Sequence, residues 1–74
     1  MAINQVRKYI WLLDALRRNK KLTFKELNDL CLNDEISEGI ELSIRTFHKW
    51  RIAIEDLFAI NIENEGRGEY RYYI

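Results

Sequence analysis

The sequence predicts a mainly α domain closed by a small β-hairpin, a three-helix winged helix-turn-helix. Two features point there. Apolar residues recur every three or four positions through three segments and then every second position near the C-terminus. Gly66 and Gly68 fall between the two alternating runs, where a hairpin loop needs positive φ. With 74 residues, positions 1–74 form one domain.

The first helix is expected from Asn4, a side-chain cap, to Asn19. At 100° per residue, Val6, Tyr9, Ile10, Leu12, Leu13 and Leu16 share a face, with Arg7, Asp14 and Arg18 opposite. Trp11 breaks the pattern by falling on the polar side. After the basic turn Asn19-Lys20-Lys21, Thr23-Phe24-Lys25-Glu26 is a capping box. It opens a second helix, Phe24 to Leu32, whose Phe24, Leu27 and Cys31 share a face. Asn33 to Leu42 is acidic, has no clean period and reads as a loop, with Ile36, Ile40 and Leu42 available to pin it to the core. Ser43 caps the third helix, which should end near Ala59. Ile44, Phe47, Trp50, Ile54, Leu57 and Phe58 line its inner face; Arg45, His48, Lys49, Ile52 and Asp56 line its outer one. In the tail, Ile60 and Ile62, then Tyr70, Tyr72 and Ile74, alternate with polar residues, putting Tyr70 and Tyr72 on the inward face and Arg67 near the hairpin tip.

Composition narrows the function. At 47% hydrophobic and 32% charged, with two Trp, four Tyr and three Phe, the chain is globular rather than disordered. One cysteine, Cys31, excludes a disulfide scaffold and fits a reducing cytoplasm. It is read as a small buried apolar group. One His and one Cys make a zinc shell improbable, and no metal or cofactor is expected. No apolar run approaches a membrane span, and the first residues lack a signal-peptide core. No nucleophile, base and orienting acid stand together, so an enzyme is not expected.

The twelve basic and twelve acidic residues cancel, yet they are sorted. Residues 7–25 carry seven bases and one acid, residues 34–41 four acids and no base, and residues 45–51 three bases and no acid. One face can therefore be positive although the total is nil. Three helices and a hairpin, in that order, suggest a third helix that enters the major groove of double-stranded DNA by its N-terminal side chains. Ser43, Arg45, Thr46, His48 and Lys49 lie in its first two turns, and Arg67 suits a wing on the backbone or in the minor groove. Lys21, Lys25, Arg51 and Arg71 are secondary phosphate contacts; Arg51 lies at the core margin, and an Arg51–Glu55 pair reads as structural rather than functional. Trp11, flanked by Arg7 and Arg18, is a candidate protein interface. The alternative function is a winged helix that binds protein; zero net charge, the acidic loop and Trp11 motivate it.

The run Ser43-Ile44-Arg45-Thr46-Phe47 through Arg51-Ile52-Ala53-Ile54-Glu55 resembles the recognition helix of the N-terminal winged helix in bacterial WYL-domain, DeoR-like transcriptional regulators. The opening Asn4-Gln5-Val6-Arg7-Lys8-Tyr9-Ile10-Trp11-Leu12-Leu13 and the ending Tyr70-Arg71-Tyr72-Tyr73-Ile74 fit the same pattern. The resemblance implies sequence-specific DNA binding, a homodimer in the full-length protein, and a larger C-terminal sensor region beyond these residues. On that reading the sequence is a fragment ending just after the wing. The ten residues from Asn33 to Leu42 depart from a tight helix-turn-helix, whose turn has about three or four.

Overall fold

A computed structural model describes residues 2–66 and 70–74. Helix α1 spans Ala2–Asn19, strand β1 Leu22–Thr23, helix α2 Phe24–Leu32, a single 3₁₀ turn Glu35–Ser37, helix α3 Ile44–Phe58, and strands β2 and β3 Glu63–Glu65 and Arg71–Tyr73. The strands form an antiparallel sheet in the order β1-β3-β2, with Leu22 opposite Tyr72, and Tyr72 opposite Asn64. Three helices with this small sheet make a winged-helix-like fold.

Local chemistry sets the helix ends. Thr23 and Glu26 form the expected capping box: the Thr23 amide donates to Glu26 Oε1 at 2.9 Å and the Glu26 amide to Thr23 Oγ1 at 3.2 Å. Hydrogen bonding to the Thr23 backbone foremost, and then to its side chain, holds the Glu26 carboxyl below its ordinary pKa. Helix α3 starts at the Ser43 cap and ends on Ala59, which turns left-handed at φ 56°.

The core joins Leu12, Ala15 and Leu16 of α1, Leu27 and Cys31 of α2, and Phe47, Trp50 and Ile54 of α3 to Leu22, Leu42, Ile62 and Tyr72. Phe47 is its hub. Its ring lies 5.7 Å from Phe24 and 4.7 Å, edge-on, from Tyr72, so α2, α3 and β3 meet on one side chain. Cys31 is buried as expected; burial foremost, then the nearby Asp34 carboxylate, push its thiol pKa up.

Several expectations are corrected. The first helix begins at Ala2, so Asn4 lies inside it rather than capping it. Strand β1 was not anticipated; two residues are too few to show a period, and pairing with β3 alone makes them a strand. Strand β2 starts at Glu63, after Ile60 and Ile62, which pack inward from the preceding connection. The inner faces of the helices are narrower than periodicity suggests. Ile10 is 52% exposed, Leu57 60% and Ile44 is also open, while Ala15 is in the core. A helix touching its neighbours along one seam buries only the residues over that seam. Tyr70 is exposed at 48%, because β3 begins at Arg71 and leaves it outside the ladder.

The acidic connection is ordered by its own polar side chains. Asp34 accepts from the Ile36 amide at 3.0 Å and opens the 3₁₀ turn. Ser37 Oγ donates to the Asp34 carbonyl and accepts from the Gly39 amide. Asn28 Oδ1 of α2 takes the Leu42 amide at 2.8 Å. Leu42 is buried and Ile36 half-buried, whereas Ile40, 68% exposed, pins nothing. Trp11 packs against the core from α1, and its Nε1 donates to Asp34 Oδ2 at 3.2 Å.

Candidate nucleic-acid interface

The first two turns of α3 carry the candidate site. Ser43 Oγ accepts from the Thr46 amide at 3.1 Å and donates to Thr46 Oγ1 at 2.9 Å. Its single proton is thereby used within the helix start, and Ser43 retains only acceptor capacity. Thr46 is half-buried and lines a cavity of about 150 Å³ with Lys8, Glu38 and Glu41, so its side of the helix faces carboxylates. The two hydroxyl residues therefore act first as a cap.

Arg45, His48 and Lys49 are all exposed. Among the described residues, neither Arg45 nor Lys49 has an ion pair or side-chain hydrogen bond. His48 Nδ1 lies 3.3 Å from Arg51 Nη1. A guanidinium can only donate, so this contact is a hydrogen bond in the tautomer that keeps the imidazole proton on Nε2. The same outward face ends in Glu55 and Asp56, with Ile52 at its middle, 65% exposed. The helix thus carries cations at its N-terminal half and carboxylates at its C-terminal half. That order opposes its own macrodipole, which favours acids at the N-terminus and bases at the C-terminus.

The secondary phosphate candidates separate. Arg51 is turned inward. Its Nη2 donates to the Ile62 carbonyl at 2.7 Å, and its guanidinium carbon lies 5.3 Å from the Tyr72 ring and 6.0 Å from the Phe47 ring. It locks α3 to the segment before β2, and among the described residues no ion pair links it to Glu55. Lys21 is also engaged: its Nζ sits 2.8 Å from Glu65 Oε1 and 5.5 Å from the centre of the Tyr73 ring. Lys25 and Arg71 are exposed, the latter opposite Thr23 and Glu65 in the sheet. Arg67 lies outside the described residues.

Of the interface candidates, Arg18 pairs with Asp14 at 3.1 Å, a one-turn surface bridge, and Arg7 is exposed. Trp11 is half-buried, and its indole N–H already serves the acidic connection within the chain. Sequence reasoning placed Ile52 on the outer face of α3 without giving it a role. It missed Asp34 and Asn28, which look like ordinary loop and helix residues until the chain brings them to Trp11 and Leu42.

Comparison of the chain with protein-family models, with characterised proteins and with solved structures finds no match. Among the described residues no helix is long and apolar enough to cross a membrane, and no three His, Cys, Asp or Glu residues gather as a metal site.

Proposed function

We propose that this chain binds double-stranded DNA sequence-specifically, as the N-terminal module of a bacterial transcriptional regulator, with the start of α3 in the major groove. One observation carries the reading: Arg45 and Lys49 project into solvent one turn apart, exposed and without a partner among the described residues, from the electropositive end of a helix. Free cations at that end cost the helix a few tenths of a kcal/mol, a cost that contact with phosphate or guanine would offset. Arg45 has the reach to make two bonds to guanine O6 and N7. Lys49 and the exposed imidazole of His48 suit phosphate or base acceptors. Glu55 and Asp56 lie two turns further along, where a helix entering by its N-terminus leaves the groove.

Ile52 supports the second reading, a protein partner docked on the same helix, because a large apolar side chain sits amid the polar face. Fluorescence anisotropy against a pool of duplexes separates the two. DNA binding requires affinity that falls steeply with salt as counterions are released. Absence of salt-dependent binding, in the full-length protein as well, would sink the proposal and advance protein docking.

A further inference from the structure

We infer that Ile52 is a base-reading residue of α3, whose side chain meets the C5-methyl group of a thymine in the stretch of major groove where Arg45 meets a guanine. The inference rests on the DNA reading above and assigns one part of its sequence preference. Position comes first. Arg45 and Ile52 are seven residues apart, so they differ by only about 20° around the helix and by about 10 Å along it. His48 and Lys49 lie between them, and all four are exposed. A helix laid in the major groove turns residues at spacings of zero, three, four and seven to the base edges; here these are Arg45, His48, Lys49 and Ile52. One turn further the same face carries Asp56, a carboxylate that phosphate repels. Ile52 is therefore the last residue of the face before it turns acidic.

Chemistry selects the methyl group. Ile52 is 65% exposed and stands alone. Its neighbours one turn to either side, His48, Lys49, Glu55 and Asp56, are all exposed and polar. The shallow pocket that it borders is otherwise lined by His48, Arg51, Glu55 and Asn61. The apolar centre of a protein interface asks for a contiguous patch, whereas a thymine methyl asks for one apolar side chain, so the isolation of Ile52 favours DNA over a protein partner. Isoleucine can neither donate nor accept a hydrogen bond. A guanine, adenine or cytosine edge facing it would give up water and gain nothing, while thymine alone offers a methyl group there. Spacing then converts to a sequence pattern. Ten ångströms of helix is about three steps of a duplex that rises ~3.4 Å per base pair, so the thymine lies about three base pairs from the guanine read by Arg45.

Selection of duplexes from a randomised pool, followed by anisotropy titration of the enriched duplex, tests the inference. Each thymine of that duplex is replaced in turn by deoxyuridine, which pairs identically and lacks only the methyl group. One replacement, within about four base pairs of the guanine that Arg45→Ala ceases to prefer, should weaken binding about three- to fivefold, the scale of one buried methyl. Ile52→Ala should bind the thymine and uracil duplexes alike, with an unchanged circular dichroism spectrum because residue 52 is outside the core. A methyl effect that persists in Ile52→Ala, or salt-dependent binding in which no thymine of that window matters by its methyl, overturns this inference and leaves the DNA reading standing. No enrichment and no salt-dependent binding removes the DNA reading and this inference with it.

Discussion

The indole of Trp11 and the carboxylate of Asp34, twenty-three residues apart, are joined by a 3.2 Å hydrogen bond that fastens the acidic connection to α1. The same carboxylate opens the 3₁₀ turn by capping Ile36. An acidic segment between α2 and α3 is thereby held on the α1 side by two uses of one side chain.

That double use sets an order of effects. Trp11→Phe removes one exposed bond and should cost about 1 kcal/mol or less, while Asp34→Ala also removes the cap and should cost more. In a double-mutant cycle, Trp11→Phe should add little on the Asp34→Ala background. Urea unfolding gives the energies, and amide exchange at Ile36 and Glu38 should quicken in both variants.

Arg45→Ala and Lys49→Ala should leave the melting temperature nearly unchanged, because both side chains are exposed and unpaired among the described residues. If the DNA reading is right, each should weaken duplex binding. Loss of Lys49 should reduce the salt slope by about one and weaken all sequences alike; loss of Arg45 should relax discrimination at one base pair. Equal binding by both variants and the parent would remove α3 from the interface.

Arg51 should behave in the opposite way. Its guanidinium ties the Ile62 carbonyl and covers Tyr72, so Arg51→Ala should cost about 2 kcal/mol, the scale of a hydrogen bond to a charged donor. Arg51→Lys should recover little, since an ammonium cannot reproduce the planar stacking. Urea denaturation with an unaltered midpoint in Arg51→Ala would refute the assignment.

The capping box of α2 should titrate. Glu26 has its pKa lowered in the folded chain by the Thr23 backbone and side-chain bonds, with a minor contribution from Arg71. A lowered carboxyl pKa stabilises the fold above the unfolded value, and that contribution fades as pH falls through the folded value. Stability between neutral pH and acid should therefore fall less in Glu26→Gln than in the parent. Thr23→Ala should cost about 1 kcal/mol at neutral pH.

Cys31 should be nearly inert to a disulfide reagent in the native state. The residue is 2% exposed, and burial and Asp34 push its thiol pKa up. Adding urea through the unfolding transition should raise the reaction rate to that of a free thiol. Fast labelling of the native chain would show that the α2 core opens readily.

Most of the fold could be read from spacing and caps. The α2 capping box, the Ser43 cap, the end of α3 at Ala59 and the outward position of Arg45, His48 and Lys49 follow from neighbours within one or two turns. Local geometry decides such features, and the sequence carries it directly. Contacts between distant segments decided the rest. Leu22–Thr23 is a strand only because Arg71 and Tyr72 lie beside it. Arg51, at the core margin, read as a secondary phosphate contact until Ile62 brought a carbonyl to it, and Lys21 did so until Glu65 brought a carboxylate. Trp11, out of place on a helical wheel, proved to face the acidic connection. Periodicity assigns a direction to each side chain but does not say what stands there, and a cation in open water and one bound to a carbonyl have the same spacing along the chain.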